Sequence, residues 1–222
     1  VIVTRERDWP GAFNARDLGG IPVAGGAVRD GVLFRSGQPQ AWAEAAWAQA
    51  AAEGVRRVLD LRDATEPQGP AVGTEAIDYR FAPVEDPTLP EFRARFQPYL
   101  NHTDGYADFV AMFAPRVADA VGELFDALGA DGATLADEDE RAVRAVNAHH
   151  LTREKPHPYE RWLPEEELAP VIESRGAALR EFAASFDSQG FLAEHGVDAP
   201  RVTAAREWLV EPAPAYPRPA QP

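Results

Sequence analysis

Cysteine is absent from all 222 residues. That excludes disulfides, thiolate-held metals and any sulfur nucleophile. Lysine occurs once, at Lys155, so arginine supplies nearly all of the positive charge. Arginine is the better residue for fixed recognition of carboxylate or phosphate. Basic residues are also few in total, 22 against 36 acidic ones, giving a net charge of −14. With acidic runs at 137–140 and 165–167 and no basic cluster, the chain repels phosphate backbones and anionic membrane surfaces. Neither nucleic acid nor membrane is an expected partner. No apolar run approaches the roughly 20 residues that span a bilayer. The opening segment VIVTRERDW has no apolar signal core, so a soluble, cytoplasmic protein is expected.

A hydrophobic content of 45% allows a sizeable core. The length fits one domain, expected over 1–210, followed by a flexible proline-rich tail at 211–222, EPAPAYPRPAQP. Short extended runs at 21–23 and 32–34 read as strands joined by a glycine turn, with Gly25-Gly26 as a hairpin pair. Residues 40–53 read as a helix carrying Trp42 and Trp47 and stopped by Gly54. A strand at 55–61 follows and ends in Arg62-Asp63; a second strand is expected at 76–81. This alternation is the rhythm of an α/β sheet, whose ligands gather at the C-terminal ends of strands. Helices are expected over 106–128 with a break at Pro115, over 135–151, over 171–194 and around 201–210. The proline-rich 152–170 segment reads as irregular, and residues 83–90 as a proline-rich connection.

Two motifs at the N-terminus, FNARDLGG (13–20) and LFRSG (33–37), together with VLDLR (58–62), resemble the bacterial tyrosine-phosphatase-like family. VNAHH (146–150), HPYERW (157–162) and the stretch 179–192 are similar to its C-terminal part, so the likeness spans about 11–210. The resemblance implies a three-layer α/β fold with a mainly parallel central sheet flanked by helices. It also implies a catalytic loop of the form His-Cys, five residues, Arg, between the 106–128 helix and Leu128-Gly129-Ala130. That loop has no counterpart here, as if one central strand–helix unit of roughly two dozen residues were missing. In that family a thiolate attacks phosphorus while loop amides and an arginine hold the phosphoryl oxygens. A chain without the loop loses attack and charge stabilisation together. Dimerisation is one way to cover the apolar faces that such an excision exposes.

The resemblance places Arg35, Ser36 and Gln38 at the rim of the active pocket, where a turn held by an Arg35 salt bridge is the plainer alternative. Asp60 in a hydrophobic strand reads as a buried ion-pair partner, whereas Arg62 and Asp63 are pocket candidates. Asn14, Arg16 and Asp17 are either ligand-binding or turn-forming residues before Gly19-Gly20. His149 and His150 are candidates for acid–base work, as is Asp63, but adjacent helical histidines point about 100° apart and do not chelate one metal easily. Neither a metal nor another cofactor is expected. Trp42, Trp47 and Trp162 read as core or lid packing.

Three functions follow. One is a phosphatase-dead domain that binds a small anionic or polar metabolite or a protein partner. Another is a repurposed enzyme performing dehydration or cyclisation by acid–base chemistry in the vacated pocket. The third is an active phosphatase, if the protein carries a loop between Ala127 and Gly129 that this chain lacks.

Overall fold

The computed structural model describes residues 5–23, 25–66, 75–96, 105–124, 140, 143–148, 150–152 and 161–212. Among them helices and short strands mix as an α/β fold. Strand β1 (Arg16–Asp17) pairs antiparallel with β4 (Phe34–Arg35). Strand β2 (Pro22–Val23) pairs antiparallel with β3 (Gly26–Val28), which pairs on its other side with β7 (Val210–Pro212). The run at 21–23 therefore does not form a hairpin with the run at 32–34. The Gly25-Gly26 turn instead returns the chain onto 26–28, and the 32–34 run is drawn to Arg16 and Asp17. Strand β7 also carries the chain past the expected domain boundary, since Glu211 and Pro212 lie in the β3 ladder. The rest of the tail, 213–222, is outside the described residues.

Helix α1 (Glu44–Ala52) starts four residues later than expected. A short 3-10 turn at Pro39–Ala41 precedes it, so Trp42 reaches the core from an extended residue rather than from the helix. Helix α1 buries Ala46, Trp47 and Ala50. Gly54, at φ +101°, ends it in a conformation that side-chain-bearing residues avoid. The chain then enters β5 (Arg57–Asp60), parallel to β6 (Asp78–Phe81). That pair is the only parallel ladder among the described residues.

An aromatic core lies beneath this pair. Trp9 and Trp42 rings are 5.2 Å apart, Trp42 and Trp47 4.6 Å, and Trp47 meets the edge of Tyr79 at 6.4 Å. Trp9, Trp42 and Trp47 pack with Ala15, Val55 and Ile77. Two indole N–H groups keep polar partners at the rim: Trp9 Nε1 donates to Glu53 Oε1 at 3.0 Å and Trp42 Nε1 to Ser36 Oγ at 3.2 Å.

The connection at 83–90 ends in a helix that the prolines obscure. Pro90 opens α2 (Pro90–Phe96), where its missing N–H costs nothing. Phe92 and Phe96 then join Phe113 in a second core cluster. The break expected near Pro115 falls at Phe113, between α3 (Tyr106–Met112) and α4 (Ala114–Leu124). Residues 125–139, where the catalytic loop would attach, lie outside the described residues. Of the 135–151 helix, residues 143–148 are described and helical. Asn147 docks this segment, donating Nδ2 to the Leu163 carbonyl (2.9 Å) and accepting the Leu163 N–H (2.7 Å).

Helix α5 (Glu165–Ser185) corrects the reading of 152–170 as irregular throughout. Pro164 precedes it, three glutamates occupy the first turn where the helix dipole favours them, and Pro170 lies inside. Pro170 lies near the N-terminus and removes one backbone bond, and Leu168 and Leu179 on the same helix are buried. A bend at Phe186 separates α5 from α6 (Ser188–Glu194), and α7 (Ala199–Leu209) follows. Asp187 and Asp198 cap α6 and α7, accepting the N–H groups of Gly190 (3.0 Å) and Arg201 (2.8 Å).

Candidate functional site

The C-terminal ends of β5 and β6 carry a polar network beside the aromatic core. Asp60, the last residue of β5, is 3% exposed. Arg62 returns to it as a fork, with Nε to Oδ1 at 2.8 Å and Nη2 to Oδ2 at 2.7 Å. The Tyr79 hydroxyl donates to the same Oδ2. Burial pushes the Asp60 carboxyl up, but the hydrogen bonds from Arg62 and Tyr79 outweigh it and hold the group below its ordinary range. Arg62 is fixed as a cation well above the ordinary arginine value, chiefly by Asp60. Its Nη1 reaches Glu66 Oε2 at 3.3 Å, and Gln38 Nε2 donates to that same oxygen at 3.3 Å.

Two further carboxylates adjoin this network. Asp63, 8% exposed, turns inward to accept the Thr65 N–H at 2.7 Å and the Thr65 hydroxyl. Glu85, in the loop after β6, is pushed up first by burial and then by the charges of Asp63 and Glu66. A carboxyl with a raised folded pKa binds its proton more tightly when folded. Its contribution therefore favours the fold at low pH and is lost as pH rises through the folded value. Glu85→Gln is expected to stabilise the protein at pH 7 by roughly 0.5 kcal/mol, with the difference vanishing in acid; urea melts at pH 7 and pH 4 check it.

Ser36 and Asp17 make hydrogen bonds within the fold. Ser36 Oγ donates to the Phe13 carbonyl at 3.3 Å and accepts from Trp42. Asp17, 3% exposed, accepts from Arg7 Nη2 (2.7 Å), the Gly19 N–H (2.9 Å) and the Gly31 N–H (2.8 Å), closing the turns on both sides of β1. A side chain on Gly19 would collide with Asp30, which is why glycine follows Leu18. Asn14, at φ +53°, turns the chain into β1. Arg16 is buried opposite half-buried Arg35 in the β1–β4 ladder. Among the described residues, Gln38, Arg62 and Asp63 of those expected gather at the strand ends. His150 ends the 143–148 segment through its N–H to the Val146 and Asn147 carbonyls (each 3.2 Å). His149 and His157 lie outside the described residues. Among the described residues no three His, Asp or Glu side chains are grouped to hold a metal, and no helix is long and apolar enough to cross a membrane.

Tyr79, Glu66 and Glu85 are not marked as site residues by the sequence. Tyr79 becomes Asp60's partner only through the β5–β6 register, which sets Val58 beside Tyr79 and Asp60 beside Phe81. Glu66 and Glu85 carry no motif and arrive on loops.

A second feature adjoins this network. The loop after β6, helix α4 and the α6–α7 turn enclose an open hollow of about 560 Å³ lined by Pro83, Arg116, Asp119, His195, Val197 and Arg201. Arg116 ties the hollow to the strand-end loop, donating Nη1 to the Glu85 carbonyl (2.9 Å) and Nη2 to Asp86 (3.4 Å).

A parallel strand pair with helices, and polar groups at the C-terminal ends of its strands, defines an α/β domain. A sequence profile described as tyrosine phosphatase family matches residues 7–137, well over half of the chain. The chain belongs to the tyrosine phosphatase family, and it has no cysteine. No curated protein matches it.

Proposed function

We propose that this chain is a member of the family that no longer hydrolyses phosphoesters and serves as a binding domain for a small anionic or polar metabolite. The absence of any sulfur nucleophile carries this reading. Thiolate attack is the step that the family's chemistry requires, and the hydroxyl that stands nearest to the N-terminal motifs, Ser36, is engaged with Phe13 and Trp42. The electrostatics at the strand ends support it further. Arg62, the cation best placed to grip a phosphoryl group there, is clamped by Asp60 and Glu66, with Asp63 and Glu85 close by. With those hydrogen bonds made, Arg62 is committed to its own carboxylates and not set out as a phosphoryl grip.

Incubation with p-nitrophenyl phosphate tests the proposal, with intact mass measured on the same sample. Protein of 24.2 kDa is expected to release nitrophenol at the rate of buffer alone. Turnover by protein of that mass would refute it, and a heavier active species would indicate a chain carrying the loop. A second reading, an acid–base enzyme, is favoured by the raised Glu85 carboxyl in the company of Asp63 and Glu66. Its signature would be a glutamate titrating above the ordinary range in carbon-detected NMR and shifting when a metabolite is bound.

A further inference from the structure

We draw no further inference here: the strongest candidate, the exposed surface of helix α7 around Trp208 and Glu207, carries nothing, because nothing in the structure shows what covers it.

Discussion

Trp47→Ala is expected to cost about 3–5 kcal/mol and to leave the domain largely unfolded at 37 °C. Trp47 is 1% exposed and lies between Trp42 and the edge of Tyr79, so no neighbouring side chain is placed to fill the space it vacates. Ala46 and Ala50, both fully buried, flank it on α1 and are too small to collapse inward. Urea unfolding followed by circular dichroism measures the loss. A Trp47→Phe control is expected to recover about half of it, because a ring still fills part of the site. A loss below about 1 kcal/mol for the alanine variant would mean that the aromatic cluster is not the core of this domain.

Asp60→Ala is the second large effect, about 3 kcal/mol. The substitution leaves a cation of 15% side-chain exposure with Glu66 as its remaining carboxylate and takes away the acceptor of the Tyr79 hydroxyl. The low end of the range for breaking buried pairs applies because Glu66 still compensates some of the charge. The pH dependence gives a separate check. Because the folded Asp60 carboxyl is held below its ordinary value, its contribution is complete above the unfolded pKa and is lost as pH falls through the folded one. The gap in stability between the parent and Asp60→Ala should therefore narrow in acid, below about pH 4. A gap that stays constant from neutral to acid pH would show that Asp60 contributes through packing and not through its charge.

The role of Asp60 is legible in the sequence itself, because a charged residue inside a hydrophobic strand has few stable alternatives to an ion pair. Arg62 is legible there only as an ambiguity. A guanidinium at a strand end either binds a ligand or neutralises the strand's own carboxylate, and local sequence does not distinguish the two. In the structure Arg62 forks onto Asp60, a contact between side chains that local sequence does not reveal. Ser36 and Asp17 are comparable cases, since both belong to motifs that mark the family while their side chains hold backbone and indole groups of this domain. Helix α2 and the start of α5 are hidden because proline is a poor signal near an N-terminus, where the N–H it lacks has no partner to lose. The mispaired hairpin has another cause. Strands of two or three residues hold too few alternating positions for their pattern to choose a partner.

Composition and motif order suffice for the family, for the exclusion of thiolate chemistry and for the helix–glycine–strand passage into β5. These are local or countable properties: a missing atom type, a turn residue, a run of one period. Long-range folding alone determines that Tyr79 meets Asp60, that acidic loops surround Arg62, and that Arg116, His195 and Arg201 line one hollow. His195 lies 79 positions from Arg116 along the chain. Their meeting depends on how α4 packs against α6, and no short-range pattern encodes the closing of so long a loop.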